Sequence, residues 1–482
     1  MTPQNTPILL INPEALRVTE GDCACSSTTT MPKDFSINLD TLHVPDGIMQ
    51  LSLNDDFKVF LPPFGQRGAS VLNKEAVSVL NGFDRRFRHT QTNDIDSDTL
   101  LEGFLSQGLL MSDEYVGLET PKSDTLTAWL HITDRCNLRC SYCYLPHLRE
   151  DMSLETAQGV IQSMIRSAQI HGYNRIKLKY AGGEPLIRFP FILQLHEYAK
   201  LHVEDSGLSL DAVLLTNGTL LTDEISKALT SMNIHLMISL DGVGDYHDTQ
   251  RSHADGKGSF AEVSTGIERA IANGLLPNIS ITVSAKTIDG LPNLLEWIVE
   301  KELPFNLNFY RENELSMQEA GLRFNEEKMI DGLLKAFKVI EANLPLQIAL
   351  GQIIDRSNLN GSHIRTCDVG ENYLVYDQNG QVAKCQMLIR RPIASFNDLD
   401  PLYAIHNDDT GLQNLPVIEK EGCRACEWKN WCAGGCSLAT YRATGRYDVK
   451  SPNCNIYKAV FPELLRLEGL RILKYAKNYC SQ

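Results

Sequence analysis

The residues with the clearest capacity for chemistry are cysteines, of which the chain has 13, most of them in two separate groups. The first group is Cys136, Cys140 and Cys143, with the spacing C-x3-C-x2-C. Three thiolates on one short loop can bind three irons of a cubane iron–sulfur cluster and leave the fourth iron open to a small molecule. Zinc is the alternative, because His147 could complete a closed four-ligand site. The spacing alone favours iron.

A second cysteine group lies far along the chain. Its seven members are, in order, Cys367, Cys385, Cys423, Cys426, Cys432, Cys436 and Cys454. In a chain without secretion signals, clustered cysteines more often bind metal or carry out redox chemistry than form disulfides. Paired C-x2-C knuckles also bind zinc, so a zinc ribbon is the alternative here. The three remaining cysteines, Cys23, Cys25 and Cys480, are most simply uncommitted thiols.

The elements that must position the first group form an α/β pattern. Apolar segments typical of strands alternate with amphipathic helical segments, and the strands are predicted at 126–132, 176–181, 213–215, 234–240, 279–284 and 305–310. Six such units predict a parallel sheet curled into an incomplete barrel. In sheets of this kind the chemistry sits at the carboxyl ends of the strands, and the first cysteine group directly follows the first strand.

A second motif follows the next strand. It reads Gly182-Gly183-Glu184-Pro185. With the cysteine loop, it resembles the radical S-adenosylmethionine (SAM) superfamily, in which a C-x3-C-x2-C loop follows the first strand of a partial (β/α)6 TIM-like barrel. The resemblance implies a 4Fe-4S cluster on the three cysteines, with SAM at its open iron. It also implies that the GGEP segment contacts the methionyl amino group. Glu184 then supplies negative charge, and the glycines allow close backbone approach.

Further residues at strand ends resemble the cofactor pocket of that superfamily. Thr216 and Asn217 follow the third strand, and Ser239 and Asp241 end the fourth. The resemblance implies that Ser239 and Arg251 contact the cofactor carboxylate and ribose, and that Tyr142 lies near the adenine. It also implies that one electron, from a donor such as flavodoxin or ferredoxin, cleaves SAM. The 5′-deoxyadenosyl radical then removes a hydrogen atom from the substrate.

The second cysteine group resembles the SPASM domain, an auxiliary-cluster extension of radical SAM enzymes that modify peptides. The resemblance implies two auxiliary iron–sulfur clusters, which would make three clusters of the 4Fe-4S type in all. One cluster takes Cys423, Cys426, Cys432 and Cys454, and the other takes Cys367, Cys385 and Cys436. The second set offers only three thiolates. Its fourth iron is therefore open, bound by a residue other than cysteine, or bound by a distant cysteine.

The segments outside the barrel have separate predictions. We expect an irregular tail at 1–35, a connector helix at 331–360, and a SPASM domain at 361–482 that ends in a helix from about 462 to 476. At 36–125, a strand hairpin is followed by two short helices, which predicts a winged-helix-like module. This module loosely resembles a RiPP recognition element, which binds the leader of a ribosomally made peptide as an added strand. The alternative is that this module is a structural cap on the barrel. The barrel itself is expected at 126–330.

Composition excludes several classes of function. The 45 basic and 60 acidic residues give a net charge of −15, which argues against a protein that follows nucleic-acid phosphates. No apolar run approaches a membrane span, and the first residues lack the features of a signal peptide. We therefore expect a cytoplasmic protein with neither a nucleic-acid nor a membrane partner.

These observations predict a radical SAM/SPASM maturase that modifies a precursor peptide with a leader sequence. The expected product is an oxidative intramolecular cross-link through a carbon–carbon, carbon–oxygen or carbon–sulfur bond. Three alternatives stay open. One is an anaerobic sulfatase-maturating enzyme, which oxidises cysteine or serine to formylglycine. Another is an epimerase or dehydrogenase, and the last is a non-catalytic peptide-binding scaffold that holds structural zinc.

Overall fold

The computed structural model describes residues 6–12, 41–63, 68–83, 97–112, 123–319, 321–346 and 348–476. The strands in these ranges are β1 Leu9–Leu10, β2 Leu42–His43, β3 Met49–Ser52, β4 Phe57–Leu61, β5 Ser70–Asn73, β6 Met111–Ser112, β7 Thr125–Thr133, β8 Arg175–Gly182, β9 Ser209–Thr216, β10 Ile234–Ser239, β11 Asn278–Val283, β12 Phe305–Phe309, β13 Tyr373–Tyr376, β14 Gln381–Ala383 and β15 Ala394–Ser395. The α-helices are α1 Lys74–Asn81, α2 Ser97–Ser106, α3 Leu154–His171, α4 Phe189–Asp205, α5 Asp223–Ser231, α6 Asp245–Asp248, α7 Phe260–Ala272, α8 Leu291–Glu300, α9 Glu326–Ala342, α10 Pro401–Asn407, α11 Lys429–Cys432, α12 Ser437–Thr444 and α13 Cys454–Tyr475.

The central sheet has nine strands in the order β12-β11-β10-β9-β8-β7-β13-β14-β15. Strands β7 to β12 pair in parallel, in sequence order, which is the result of repeated strand–helix–strand crossovers. All nine residues of β7 are buried, as expected for a strand covered on both faces. The predicted α/β fold with six consecutive parallel strands is therefore confirmed.

The cysteine-rich region extends this sheet, which the sequence did not predict. Strand β13 pairs in parallel with β7, and β14 and β15 follow as antiparallel neighbours. The side chain of Asn372 reinforces the junction, since its Nδ2 donates to the carbonyl of Thr125 at 2.7 Å. The second cysteine group is therefore built directly against the strand that precedes the first group.

The N-terminal segments form a separate four-stranded antiparallel sheet in the order β1-β5-β4-β3. The predicted hairpin is present, and the side chain of Asn54 fixes its turn by accepting hydrogen bonds from the backbone of Asp56 and Phe57. Two helices, α1 and α2, follow as predicted. The expectation of an irregular tail at 1–35 needs a correction, because Leu9 and Leu10 are buried and pair with β5.

Two predicted helices have different limits in the structure. The connector helix α9 begins at Glu326, where the side chain of Asn325 caps it by accepting from the backbone of Lys328, and it ends at Ala342. The last helix, α13, begins at Cys454 and includes Pro462. Proline removes one helical hydrogen bond, and the burial of its neighbours against α9 and the N-terminal sheet offsets that loss. No helix in the described ranges is long and apolar enough to cross a lipid bilayer.

Candidate active site

A cavity of about 230 Å³ lies at the carboxyl ends of the parallel strands. It contains most of the predicted site residues. Those that line it are Cys136, Cys140, Cys143, Tyr142, Gly182, Gly183, Thr216, Asn217, Ser239 and Arg251. Glu184, Pro185 and Asp241 are buried and are not part of its lining. Residues that the sequence analysis selected at the ends of four strands, β7 to β10, therefore border a single cavity.

The glycines after β8 hold the cysteine loop against the sheet. The backbone N–H of Gly183 donates to the carbonyl of Thr133 at 2.7 Å, and that of Glu184 donates to the carbonyl of Arg135 at 2.8 Å. A Cβ atom on Gly183 would lie 2.3 Å from the Arg135 oxygen. Packing of the chain on itself therefore already requires glycine here, apart from any need for approach to a cofactor.

Replacement of this glycine gives a first prediction. In the variant Gly183→Ala, the added methyl group collides with backbone that cannot rotate away, so we expect the free energy of unfolding to fall by about 2–4 kcal/mol. Iron bound after anaerobic reconstitution should fall with it. Gly172→Ala is the matched control: its Cβ has open space, and its left-handed φ of 72° should cost only about 1 kcal/mol. Equal iron content and stability in the two variants would contradict the prediction.

Glu184 fixes the relative positions of two strand ends. Its side chain is fully buried, and its oxygens accept from the Thr216 hydroxyl at 2.7 Å, from the Asn217 backbone at 2.7 Å and from the Leu186 backbone at 3.0 Å. Burial raises the pKa of Glu184 above its ordinary value, although these hydrogen bonds oppose the change. The structure thus gives Glu184 a positioning role and does not place it at the cavity surface.

Asp241 organises the opposite wall. Its Oδ2 accepts from Nε of Arg251 at 2.6 Å, from the Tyr142 hydroxyl at 2.7 Å and from the Gln250 amide at 2.8 Å, and its Oδ1 accepts from the Thr282 backbone at 2.7 Å. Burial would raise the pKa of Asp241, but Arg251 and the other partners outweigh it and lower the pKa. The carboxylate therefore holds Arg251 and Tyr142 in fixed orientations.

The orientation of Arg251 brings positive charge to the cysteine loop. Its Nη1 lies 3.9 Å from Sγ of Cys140, and its guanidinium carbon lies 5.2 Å from the centre of the Tyr142 ring. On the other side of the loop, the Asn217 amide lies 3.9 Å from Sγ of Cys136. These groups can stabilise negative charge on thiolates and on a bound carboxylate.

A buried histidine supports this arrangement from behind. Nδ1 of His247 accepts from the Asp241 backbone at 3.2 Å, and its Nε2 lies 3.0 Å from the Ser259 hydroxyl. Both contacts suit a neutral ring, and burial lowers the pKa of His247 to about 4. The folded protein therefore resists protonation of this side chain.

A pH dependence follows as a second prediction. An unfolded histidine titrates near pH 6.5, so stability from neutral His247 is fully present above that pH and is lost as the pH falls toward 4. Between pH 7 and pH 5 we expect a loss of about 2 kcal/mol. The variant His247→Asn keeps an acceptor for the Asp241 backbone but cannot titrate, so its stability should change less over this range. Parallel slopes of stability against pH for the two proteins would count against this assignment.

The three thiols of the first group suit a positively charged metal cluster. Burial raises the pKa of Cys136 and of Cys143 to about 12, and a neighbouring cysteine adds to the effect. Buried thiols of this kind become thiolates only when a metal compensates their charge. Among the described residues, no three His, Cys, Asp or Glu side chains are arranged around a single metal ion. The three cysteines instead border a cavity with space for a larger group.

The second cysteine group separates into two sets. Cys423, Cys426, Cys432 and Cys454 line one small pocket, beside Trp428 and Tyr457. Cys385 and Cys436 line the main cavity, and Cys367 belongs to the same apolar cluster as these two. This division follows the ligand sets that the SPASM resemblance implies. Cys23, Cys25 and Cys480 lie outside the described residues.

The loop between Cys432 and Cys436 connects the two sets. Ala433, Gly434 and Gly435 all have positive φ values, so this loop turns sharply. The buried ammonium of Lys420 donates to the Ala433 carbonyl at 2.8 Å. The Thr366 hydroxyl is also within hydrogen-bond distance of that carbonyl, at 3.0 Å. A positive charge is thereby fixed between the two sets.

Several cavity residues were not singled out from the sequence. Tyr310 and Arg311, which directly follow β12, line the cavity, and so do Tyr144, Arg356 and Gln386. Arg356 lies in a connecting segment with a left-handed φ of 57°, and Gln386 directly follows Cys385. No motif marks Arg356 or Gln386, which reach the cavity from the segments that follow the barrel, whereas Tyr144 directly follows Cys143 in the first cysteine loop.

The fold and the site together define a class of protein: an α/β fold with a three-cysteine loop at the end of the first strand of its parallel sheet. Residues 130–300 match the family model described as "Radical SAM superfamily". Residues 130–300 therefore form a radical SAM domain, and the predicted resemblance of the chain to maturases that carry this domain is confirmed. Such a domain implies that SAM and a 4Fe-4S cluster bind, and the donor set around the cavity fits both.

Comparisons with known proteins extend beyond the matched domain. A cysteine-type anaerobic sulfatase-maturating enzyme of Clostridium perfringens is 22% identical over 71% of this chain and 96% of its own length. The solved structure of a native anSMEcpe with bound AdoMet and the Cp18Cys peptide covers 72% of this chain and 99% of its own, with a TM-score of 0.59 at 19% identity. SuiB of Streptococcus suis, solved with its precursor peptide SuiA, covers 85% of this chain and 98% of its own, with a TM-score of 0.50 at 15% identity.

Proposed function

We propose that this protein is a peptide maturase that forms an oxidative intramolecular cross-link in a ribosomally made precursor. The observation that carries the proposal is the main cavity, which is bordered by Cys136, Cys140 and Cys143 and also by Cys385 and Cys436. A substrate in this cavity meets a site of radical formation and an acceptor for electrons. When bound, SAM and the reduced cluster supply a 5′-deoxyadenosyl radical that abstracts hydrogen.

The residues of the chain have three tasks in this proposal. Arg251 binds the carboxylate of SAM, and Asp241 keeps its guanidinium in place. Tyr142, Thr216, Asn217 and Ser239 border the rest of the cofactor. Cys385 and Cys436, with Cys367, would hold the auxiliary cluster nearest to the substrate, and the other four cysteines would hold the second auxiliary cluster. A flavodoxin or ferredoxin donates the electron that cleaves SAM.

The reaction removes two hydrogens from the peptide. One leaves as a hydrogen atom to the deoxyadenosyl radical. The second would leave as a proton while the new carbon–carbon, carbon–oxygen or carbon–sulfur bond forms, and a cluster held by Cys367, Cys385 and Cys436 would supply an acceptor for the remaining electron. This balance requires an electron acceptor beside the substrate, which is the position that Cys385 and Cys436 occupy.

The N-terminal sheet is the proposed binding unit for the leader peptide. Strand β3 is the edge of that sheet, and its residues Gln50 and Ser52 are exposed. An edge strand presents unpaired backbone groups to which an extended peptide can add. SuiB, the neighbour solved with a precursor peptide, also covers a larger share of this chain than anSMEcpe does.

The test is an intact-mass measurement after anaerobic co-expression with the short peptide encoded beside this gene. We expect a product lighter by two hydrogens, and fragmentation that locates the new bond. An unchanged mass, together with deuterium uptake from solvent, would show that the reaction is epimerisation and not cross-linking. Colourless protein that carries only zinc would overturn the proposal in favour of a scaffold.

Sulfatase maturation is the second candidate, because the similarity to the Clostridium enzyme spans 96% of that enzyme's length. However, more than a quarter of this chain lies outside the match. A peptide with a sulfatase active-site cysteine separates the two functions. Formylglycine on that peptide, without modification of the neighbouring precursor, would support the sulfatase role.

A further inference from the structure

A second cavity, of about 170 Å³, opens beside the main one. Tyr144 and Met387 line both cavities and thus form the partition between them. We name this second cavity the arginine groove. It is defined by Tyr144, Leu315, Met387, Arg390, Arg391 and Arg442. A peptide that enters the main cavity from this side must first cross the groove.

The groove is positively charged within a strongly acidic protein. Three arginines face one carboxylate, that of Glu314, while the whole chain has a net charge of −15. Arg390 is exposed and has no hydrogen-bond or ion-pair partner among the described residues. Arg391 pairs with Glu314 at 2.8 Å, but both side chains are more than 60% exposed. Such a surface pair is weak and can exchange for another carboxylate.

One wall of the groove is held firmly in place. The loop after β12 is fastened to the cysteine loop, since the Asn313 amide donates to the Tyr142 carbonyl at 2.9 Å. The Asn313 oxygen also accepts from the backbone of Leu315 and Ser316, at 3.0 Å each. Arg442 is tied to the same loop, because its guanidinium donates to the Glu312 carbonyl. Little rearrangement is therefore needed before a ligand binds.

The groove also has an apolar part. Leu315 is 44% exposed, and Met387 lines the same cavity. A surface that combines apolar contact with planar guanidinium donors suits an extended peptide whose side chains end in carboxylates.

We propose that the arginine groove binds an acidic segment of the substrate peptide, with Asp or Glu residues next to the residue that reacts. This inference rests on the proposed function and narrows its substrate class. Arg390 supplies the guanidinium that is free to pair, and Arg391 exchanges Glu314 for the carboxylate of the substrate. The segment then leads past Tyr144 and Met387 into the main cavity.

The test measures the binding of two fluorescein-labelled heptapeptides to the reconstituted enzyme with SAM. The peptides differ only in two positions, which are Asp in one and Asn in the other. We expect the Asp peptide to bind about tenfold more tightly at low salt, with a difference that shrinks in high salt. The double variant R390E/R391E should remove the preference. K335E, an exposed charge reversal on α9, should retain it.

A photo-crosslinking version locates the site directly. Benzoylphenylalanine beside the Asp pair should label residues 387–391 or Leu315. Equal affinity for the two peptides, an unchanged preference in R390E/R391E, or labelling elsewhere would overturn the inference. Formation of 5′-deoxyadenosine in the same samples is scored separately. The absence of 5′-deoxyadenosine would reject the proposed function. The binding comparison tests separately whether the arginine groove binds an acidic peptide segment.

Discussion

Cys140→Ala is expected to abolish reductive cleavage of SAM. Cys140 is the central residue of the three-cysteine loop, and the guanidinium of Arg251 lies 3.9 Å from its sulfur. Without this thiolate, only two protein ligands remain for a cluster that needs three. We expect 5′-deoxyadenosine to fall to the background level, and bound iron to fall by about four atoms per chain. Product analysis and iron determination on anaerobically reconstituted protein measure both quantities.

The neighbouring residue supplies a matched control. Ser141 lies in the same loop, and its buried hydroxyl has no hydrogen-bond partner in the described structure. Ser141→Ala should therefore retain both the iron content and the cleavage of SAM. If Cys140→Ala kept wild-type levels of iron and of 5′-deoxyadenosine, the first cysteine group would not hold the catalytic cluster.

Asp241→Asn is expected to have the second-largest effect. The substitution leaves the shape of the side chain but removes the charge that compensates Arg251, and it leaves a buried guanidinium without its counter-ion. Breaking a buried pair from one side typically costs about 3–5 kcal/mol of stability. The affinity for SAM should fall about 10- to 100-fold, because Arg251 and Tyr142 lose their common acceptor.

Calorimetric titration with SAM and thermal unfolding together measure this prediction. Asp245→Asn is the control, since Asp245 is an exposed carboxylate four residues along the chain. It should alter neither quantity by more than about 0.5 kcal/mol. A normal SAM affinity in Asp241→Asn would show that Arg251 is not positioned through this carboxylate.

The sequence predicted the features that depend on local pattern. Alternation of apolar strands and amphipathic helices places β7 to β12 correctly, and the spacing of Cys136, Cys140 and Cys143 identifies their loop. The helix cap at Ser153 is also predictable, because serine directly before an amphipathic segment is a common N-cap, and its side chain does accept from the backbone of Thr156. Each of these signals is contained in a short window of sequence.

Features that depend on contact between distant segments were not predicted. The union of β13 with β7 joins segments about 250 residues apart, and no periodicity records such a partner. The same applies to Glu184, whose three hydrogen bonds could be known only once β9 was placed beside β8. From its residue type, Glu184 was expected to bind the ammonium group of SAM. Its burial and its hydrogen bonds instead show that it joins the ends of β8 and β9.

The contact between the N-terminal sheet and α13 has a consequence for synthesis of the protein. Arg471 donates to the side chain of Asn12, 459 residues away, and the inner face of the N-terminal sheet shares one apolar core with α13. At about 5–20 residues per second, a ribosome needs roughly 20–80 s after β5 to complete α13. During that time the sheet lacks the helix that covers it. The region 36–125 made alone should therefore aggregate, and a truncation within α13, just after Cys454, should reduce the soluble yield although every cluster cysteine is retained.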